Sequence, residues 1–321
     1  MHISIYGVGR SGTKAIQLYL SYLLAKKHGE VWINYEPYFW LDRKTTTLNY
    51  EGFYHHSTSP HLLSDSGKLS PGHLRFLKKL TKPNKTIVTK FIRGNGRINA
   101  INEVLKPDYN FIIVRDLYQV LISVLKTNWD FLSVGFEYRM SWDKFINEVK
   151  KSGIVDEFEW CIDRIYDRLD KNAFYWYVMN LAALQCTFKP TYFLDYKFIS
   201  EIESIATEII HPAESESIKN PILSGDYIHG DYPLLSAPSH NSRTELLNSA
   251  LYKTQMIDKY GIYLPNKKIG SLAKINDEYQ LIESSTSPQT KVIIEKKDLY
   301  EFFNEDIAKK LALKRSSPKQ N

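Results

Sequence analysis

A glycine-rich turn near the start of the chain, GVGRSGTKAI at residues 7–16, is the first segment that could do chemistry. It follows a short apolar run and leads directly into an apolar helix pattern. A helix N-terminus offers backbone N–H groups and the positive end of the helix dipole, and these together favour a bound phosphate. The turn therefore predicts a phosphate site, with candidate ligands Arg10, Ser11, Gly12, Thr13 and Lys14.

The order of residues in this turn differs from that of the ATP-binding loop G-x-x-x-x-G-K-[ST]. Gly7 and Gly12 have the separation of that loop, but Thr13 follows Gly12 and the lysine comes one place late, at Lys14. In the ATP-binding loop the lysine reaches the terminal phosphates and the next hydroxyl binds magnesium. An ATP-dependent P-loop small-molecule kinase is therefore the alternative rather than the first interpretation, and dependence on Mg²⁺ would identify it.

A second segment with the pattern of an anion site is FIIVRDLYQVLISVL at residues 111–125. Arg115 stands at the end of a continuous apolar run, and Ser123 follows on the predicted helix. A strand-end arginine and a serine on the next helix can converge on one phosphate. Asp116 is expected to orient its neighbours rather than to contact the anion.

Together these two segments resemble the cofactor-binding elements of the sulfotransferases that use 3′-phosphoadenosine-5′-phosphosulfate (PAPS). Those enzymes carry [KR]-x-G-T after a first strand to hold the 5′-phosphosulfate, and this chain has it at residues 10–13. Their 3′-phosphate element is matched by Arg115 and Ser123. The resemblance implies that Arg10 lies against the bridging oxygen, where negative charge grows as the S–O bond breaks. The chain departs from the pattern at Arg10, where many members have lysine, and at Leu117, where proline is usual.

A third segment, NYEPYFW at residues 34–40, resembles the Glu-Pro-x-Phe-Phe segment of the family members that sulfate polysaccharides such as heparan sulfate. In those enzymes the glutamate takes the proton from the acceptor hydroxyl, and the matching residue is Glu36. Partial desolvation by the neighbouring aromatic residues would favour uptake of a proton by this carboxylate. A salt bridge from Glu36 to Arg10 or Lys90 is the structural interpretation, and it is compatible with the catalytic one.

Further candidates lie where other predicted strands end. In TKFIRGNGR, residues 89–97, Lys90 is the candidate for the oxygens of the transferring sulfuryl group, and Arg93 for the acceptor or the cofactor. In the late loop SHNSRT, Arg243 could close over the cofactor, as a basic loop does in relatives. FLDYKFIS resembles the family's Tyr-Glu-Asp-Leu strand end, but Lys197 replaces the glutamate and leaves Tyr196 as a structural marker.

The composition narrows the class of protein. A chain of 321 residues with 43% hydrophobic and 24% charged residues is typical of a folded protein. A net charge of +6 without a dense Lys/Arg run permits an anionic ligand and disfavours nucleic acid as a partner. The two cysteines and the histidines lack the spacing of a disulfide framework or a metal site. The absence of a signal peptide or a long apolar run predicts a cytoplasmic protein without a transmembrane segment.

Strand and helix patterns alternate over the first two hundred residues. Strands are predicted at residues 3–6, 31–34, 86–91, 110–114 and 191–194, with helices at 14–26 and 117–126 and within the block 142–187. This alternation predicts an α/β fold, a three-layer α/β/α sandwich around a central parallel sheet. The family resemblance makes it the P-loop-like sulfotransferase fold. The polar residues 44–83 are predicted to form an excursion from the sheet rather than a core element.

The domain organisation follows from a change in composition after Pro265. Residues 1–265 are predicted to form the sulfotransferase domain, with a loop at 226–241 and a helix at 244–260. Residues 266–321 are predicted to form a charged C-terminal extension with one amphipathic helix at 299–310.

The combined expectation is a bacterial PAPS-dependent sulfotransferase. It would move the sulfuryl group to a hydroxyl of a carbohydrate or glycolipid by metal-free in-line displacement, with 3′,5′-ADP as the second product. Glu36, Arg10 and Lys90 are the expected catalytic residues. A nucleotide-binding module without catalysis is the second alternative, and intact cofactor binding with a silent Glu36→Ala phenotype would indicate it.

Overall fold

The computed structural model describes residues 1–28, 30–38, 40–42, 47–48, 50–57, 63, 69–127, 131–132, 142–155, 159–165, 168–198, 201–210 and 288–316. Within these residues the chain forms an α/β fold around a parallel sheet of five strands. The sheet strands are β1 (His2–Tyr6), β2 (Val31–Tyr35), β5 (Thr86–Phe91), β6 (Tyr109–Val114) and β7 (Thr191–Asp195), and a separate antiparallel pair is formed by β3 (Trp40–Asp42) and β4 (Thr47–Leu48). The order of the strands in the sheet is β2-β5-β1-β6-β7.

Helices connect these strands, and two short 3₁₀ turns, Asn95–Arg97 and Tyr196–Phe198, follow β5 and β7. Among the described helices, none combines the length and the apolar character needed to cross a membrane. The helices are α1 (Thr13–His28), α2 (Tyr50–Ser57), α3 (Pro71–Lys79), α4 (Ile98–Leu105), α5 (Leu117–Thr127), α6 (Trp142–Ser152), α7 (Glu159–Ile162), α8 (Arg168–Leu184), α9 (Glu201–Ile210) and α10 (Pro288–Ser316).

The sheet is covered on both faces, and alternate residues of each strand point to opposite faces. In β1, Ile3 and Ile5 pack with the buried residues of α1 and α9, whereas Tyr6 packs on the other face with α3 and α4. In β6, Phe111 and Ile113 join the first cluster and Ile112 the second. Strands buried on both sides explain the continuous apolar runs in the sequence, and the predicted α/β fold with a parallel sheet is confirmed.

The excursion between β2 and β5 contributes more to the core than its polar composition predicts. Helix α3 lies within residues 44–83 and buries His73, Phe76 and Leu77. Phe76 and Leu77 belong to the same hydrophobic cluster as Tyr38 and Phe91 of the sheet edge. The prediction that this stretch holds no core element is therefore wrong. The apolar stripe of one short helix is diluted there by glycine, proline and lysine.

Helix α10 packs on the domain formed by the preceding residues. Its buried side chains lie along one face of the helix and share a cluster with α5 and α8. The members from α10 are Leu299, Tyr300, Phe303, Ile307 and Leu311. Tyr177 of α8 stacks on Phe303 with ring centroids 4.5 Å apart. The helix predicted within residues 266–321 is thus part of the same core as the sheet.

The loops after β1 and β6 leave the sheet in opposite directions. From β1 the chain runs through α1 on one face to β2, whereas from β6 it runs through helices on the other face, α5 and α8, to β7 on the other side. β1 and β6 are neighbours in the sheet. A crevice opens where adjacent loops diverge in this way, and such crevices are the usual ligand sites of parallel α/β sheets.

Candidate functional site

The candidate residues of the described chain gather at one edge of the sheet, beyond the carboxyl ends of the strands. Glu36 follows β2, Lys90 lies near the end of β5, the glycine turn follows β1 and Arg115 follows β6. Since the strand order is β2-β5-β1-β6-β7, these groups lie in one row, with Tyr196 after β7 at its far end. The four strand-end segments singled out in the sequence therefore lie side by side at this edge of the sheet, where a parallel α/β sheet usually binds its ligand.

The glycine turn after β1 is held tightly by its surroundings. A Cβ atom on Gly7 would lie 2.6 Å from Cγ2 of Thr13 and 2.9 Å from the carbonyl oxygen of Ile113. Gly12 has a φ of +84°, and a Cβ atom there would lie 1.9 Å from Cε2 of Tyr196. Both positions require glycine because no side chain fits. Tyr196, treated as a marker in the sequence, is the residue against which the turn packs.

The polar groups of this turn are arranged as donors. Helix α1 begins at Thr13, and the N–H groups of Ser11 and Ala15 already donate to the carbonyl oxygens of Val8 at 3.1 Å and Gly12 at 3.0 Å. Among the described residues, the backbone donors that the turn keeps for a ligand are therefore the amides of Gly12 and Thr13. Ser11 is fully buried, and its hydroxyl has no hydrogen-bond partner among the described residues. The first turn of α1 carries no acidic residue. The turn thus presents hydrogen-bond donors and the positive end of a helix dipole without an opposing carboxylate, as an anion site requires.

Arg10 joins this turn to the segment after β6. Its Nε donates a hydrogen bond to Oγ of Ser123 at 2.7 Å. Arg115 donates from Nη1 to the carbonyl oxygen of Arg10 at 3.0 Å and from Nε to Oε1 of Gln119 at 2.9 Å. The guanidinium of Arg115 also lies over the ring of Tyr196, 4.6 Å from its centroid. The two segments that were predicted to bind phosphate are therefore in direct contact.

The two arginines form a locally positive centre. Arg10 as a residue is exposed, yet desolvation of its guanidinium and then the charge of Arg115 lower its pKa. Burial likewise lowers the pKa of Arg115. The charge of Asp116 opposes the lowering of the Arg115 pKa, while its Oδ1 accepts from the N–H of Gln119 and its Oδ2 accepts from the side chain of Asn304 on α10. Two like charges that disfavour each other are stabilised when an anion binds between them.

Glu36 and Lys90 form a mostly buried ion pair beside this centre. Nζ of Lys90 lies 2.5 Å from Oε1 of Glu36, with the side chains 1% and 11% exposed. The backbone N–H of Glu36 donates to the carbonyl oxygen of Lys90 at 3.1 Å, and Lys90 lies over the ring of Tyr35, 3.7 Å from its centroid. Of the two salt bridges considered for Glu36, the structure forms the one to Lys90. No hydrogen bond to Oε2 of Glu36 is found among the described residues, so this oxygen keeps its capacity as a hydrogen-bond acceptor while Oε1 is paired with Lys90.

Backbone strain coincides with these residues. Four described non-glycine residues have positive φ, and two of them, Arg10 at 71° and Glu36 at 48°, lie at the crevice. The left-handed conformation is unfavourable for side chains of this kind, and such strain is concentrated at binding and catalytic sites.

The remaining residues that the sequence analysis singled out lie in different surroundings. Lys14 lies in the first turn of α1 and is half-buried. Arg93 is almost fully buried, burial lowers its pKa, and its charge interacts with Tyr175 and Glu36. Lys197 lies 3.4 Å from Oδ2 of Asp195 in an exposed ion pair. Arg243 lies outside the described residues.

Two residues that the sequence analysis did not single out also lie at this edge. Asn95 and Arg97 form the 3₁₀ turn after β5 and are 1% and 0% exposed. The segment RGNGR was visible as a glycine-rich basic stretch after a strand. Charged residues in such a stretch are ordinarily solvated, so the sequence carried no signal of their burial.

A metal centre is not formed by the described residues. Nowhere among them do three or more His, Cys, Asp or Glu side chains gather closely enough to hold a metal ion. The rings of His55 and His73 stack with centroids 5.1 Å apart, and Nε2 of His73 is hydrogen-bonded to the hydroxyl of Tyr38 at 2.8 Å.

Comparison with protein-family models, with curated proteins and with solved structures found no match to this chain.

Proposed function

We propose that the protein is a PAPS-dependent sulfotransferase that transfers a sulfuryl group to a hydroxyl of a carbohydrate or glycolipid. The observation that carries the proposal is the contact between Arg10 and Ser123 beside the Glu36–Lys90 pair. The contact joins the two segments that are proposed to bind phosphate and that are distant in the sequence. Glu36 and Lys90 belong to the neighbouring strands, Glu36 directly after β2 and Lys90 within β5. This is the set of groups needed to hold two phosphates and to take a proton from an acceptor.

The residues present fit the two ends of PAPS. The backbone amides at the start of α1, the hydroxyls of Ser11 and Thr13 and the charge of Arg10 would hold the 5′-phosphosulfate. Arg115 and Ser123 would hold the 3′-phosphate. Two features support this arrangement: the hydroxyl of Ser11 has no hydrogen-bond partner in the described part of the chain, and position 12 sterically requires glycine. Bound through phosphates remote from sulfur, the co-substrate would be positioned by energy that is independent of the reacting bond.

The proposed reaction is a single displacement at sulfur. The acceptor oxygen forms a bond to sulfur, the bond from sulfur to the bridging oxygen breaks, and the electron pair leaves with the phosphate of 3′,5′-ADP. Glu36 takes the acceptor proton, which neutralises the carboxylate. Lys90 then loses its counter-charge as negative charge develops on the sulfuryl and leaving oxygens. Lys90 and Arg10 stabilise that charge in a site of low dielectric.

The proposal that the acceptor is a sugar is based on the segment around Glu36. Of the aromatic residues around it, Tyr38 is 2% exposed and packs against Phe76 and Phe91, so it supports the fold rather than an acceptor. Tyr35 lies against Lys90 and is half-buried. The assignment of a carbohydrate therefore depends on the resemblance of residues 34–40 to the polysaccharide-modifying enzymes.

The proposal is tested by following 3′,5′-ADP release from PAPS with a panel of glycans. Release that depends on a glycan and is unaffected by addition of ATP supports sulfotransfer. Phosphate transfer from Mg-ATP to the same glycans, with PAPS inert, would replace the proposal with the kinase alternative.

A further inference from the structure

The mechanism above leaves unused a second cationic group at the same edge, in the turn that follows β5. Arg97 has no exposed surface, and within the described part of the chain none of its three guanidinium nitrogens has a hydrogen-bond partner. Asn95, in the same short turn, is 1% exposed, and neither atom of its amide group has a partner among the described residues. The turn therefore buries several strong donors for which this part of the protein supplies no acceptor.

Among the described residues, no carboxylate forms a salt bridge with Arg97. Its guanidinium carbon lies 5.3 Å from the ring centroid of Tyr38, a cation–π contact that offsets only part of the cost of burying the charge. Burial and then Arg97 lower the pKa of His73 to about 3, so this neighbour is neutral near pH 7. Glu51, the carboxylate that acts on the nearby His55, is paired with Lys79 at 2.8 Å on the surface.

An uncompensated buried charge is unfavourable for folding. Arginine remains charged in proteins, and an unpaired buried ion destabilises the folded state by several kcal/mol. An apolar side chain in the same place would stabilise the protein at least as well. The presence of arginine at position 97 is therefore better explained by binding of a ligand than by packing of the hydrophobic core.

The turn adjoins the pair that is proposed to react. It follows β5, the strand that contains Lys90, and the N–H of Glu36 donates to the carbonyl oxygen of Lys90 at 3.1 Å. Arg93, four positions before Arg97, also interacts electrostatically with both Glu36 and Tyr175. Burial raises the pKa of Tyr175 to about 12, and the charges of Arg93 and Arg97 both oppose that rise. Both guanidiniums thus lie near one phenol, and one of them also lies near Glu36. A group bound at Arg97 would be close to the hydroxyl that Glu36 deprotonates.

We propose that the Arg97 turn, defined as Arg93, Asn95 and Arg97, binds an oxyanion of the acceptor, a carboxylate or a sulfate ester carried near the reacting hydroxyl. The inference rests on the proposed function and narrows the acceptor to an acidic sugar. A planar guanidinium matches either anion with two parallel hydrogen bonds, and the amide of Asn95 supplies a further donor. Because Arg97 has no exposed surface, a covering side chain moves when the anion enters. A neutral sugar leaves the donors unsatisfied and is rejected.

The experiment measures thermal midpoints with three small sugars: glucuronate, glucose 6-sulfate and neutral glucose. Sodium chloride at matched ionic strength is the baseline. The proteins are the wild type, Arg97→Met and Arg75→Met, the last of which removes an exposed arginine of α3 and serves as the matched control. We expect either acidic sugar, but not glucose, to raise the midpoints of the wild type and of Arg75→Met. Arg97→Met should bind the same sugar at least about tenfold more weakly, and without ligand its midpoint should be no lower than that of the wild type.

Two results would overturn the proposal: an acidic sugar that raises the midpoint of Arg97→Met as much as that of the wild type, or acidic sugars that raise neither. If Arg97→Met folds poorly, Arg97→Lys decides, since it keeps the charge and loses the planar fork. It should bind the acidic sugar more weakly, and wild-type binding would contradict the proposal. Titration of each variant with 3′,5′-ADP separates the two hypotheses. If the wild type binds 3′,5′-ADP but no acidic sugar, only the proposal for the Arg97 turn is rejected. If the wild type does not bind 3′,5′-ADP, the proposed function itself is rejected.

Discussion

Nε of Arg10 donates a hydrogen bond to Oγ of Ser123 at 2.7 Å, across 113 positions of the chain. The strands that precede these two segments are neighbours in the sheet, so folding itself brings the segments together. Arg115 strengthens the contact by donating to the carbonyl oxygen of Arg10 at 3.0 Å. The result is a single cationic centre built from two motifs, and the predictions below follow from it and from the pair beside it.

Removing the Arg115 guanidinium should weaken nucleotide binding. Arg115→Ala deletes a charged hydrogen-bond donor, so the affinity for 3′,5′-ADP should fall by about 1.5–3 kcal/mol. Isothermal titration calorimetry measures this directly. Arg75→Ala, which removes an exposed arginine on α3, is the matched control and should bind like the wild type. Wild-type affinity in Arg115→Ala would remove Arg115 from the site.

Neutralising Glu36 should stop transfer while nucleotide binding persists. Glu36→Gln keeps an oxygen that can accept from Lys90 but cannot take the acceptor proton, so the transfer rate should fall by about 10²-fold or more. Initial rates with PAPS and a glycan acceptor measure the loss, and calorimetry with 3′,5′-ADP measures the retained binding. Glu51→Gln, at an exposed carboxylate paired with Lys79, should keep full activity. Full activity of Glu36→Gln would mean that another group is the base.

Helix α10 should behave as part of the folded core. Phe303 is fully buried and stacks on Tyr177, so Phe303→Ala should lower the free energy of unfolding by about 3–5 kcal/mol. Leu313 lies on the same helix and is 68% exposed, so Leu313→Ala should change it by about 0.5 kcal/mol or less. Urea denaturation of both variants makes the comparison. If both substitutions change the free energy of unfolding by the same small amount, α10 does not unfold cooperatively with the rest of the protein.

Acidification should destabilise the fold through buried histidines. Burial, followed by the charge of Arg97, lowers the pKa of His73 from 6.5 to about 3. The unfolded chain then binds the proton more tightly than the folded one. The stability associated with the neutral histidine is therefore complete above about pH 6.5 and is lost as the pH falls toward 3, by up to about 1.4 kcal/mol per pH unit.

Urea denaturation from about pH 7 to about pH 4 measures this slope. His73→Gln should flatten it without abolishing it, because burial also lowers the pKa of His2 to about 4. His28→Gln, which replaces an exposed histidine, is the control. If His73→Gln shows the same slope as the wild type, His73 does not titrate as its burial requires.

The sheet was predictable from the sequence because its central strands, β1, β5 and β6, are buried on both faces. Runs such as residues 111–114 are continuous and apolar, and the residues that follow them carry the charged candidates at positions fixed by the strand ends. The sequence did not predict helix α3, because its buried residues are few and stand among one proline, a glycine and several basic residues. The packing of α10 on α8 depends on a contact between distant parts of the chain that no local pattern encodes.

The site was predictable as a set of residues but not as an arrangement. The sequence suggested Glu36 and Lys90 without choosing between two possible ion-pair partners, because that choice depends on the register between β2 and β5. The positive φ values of Arg10 and Glu36 could not be foreseen either, since neither residue type favours them. Arg97 was missed because burial of an arginine is decided by tertiary packing, not by its neighbours in the chain.

The most direct test of the proposed function compares the thermal midpoint of the protein with 3′,5′-ADP, 5′-AMP and Mg-ATP. A ligand at about a hundred times its Kd stabilises the folded state by about 2.7 kcal/mol, which raises the midpoint by several degrees. We expect 3′,5′-ADP to raise it without magnesium, 5′-AMP to have a much smaller effect and Mg-ATP to have none. Stabilisation by Mg-ATP alone would contradict the two-phosphate site at Arg10, Arg115 and Ser123 and would support the kinase alternative.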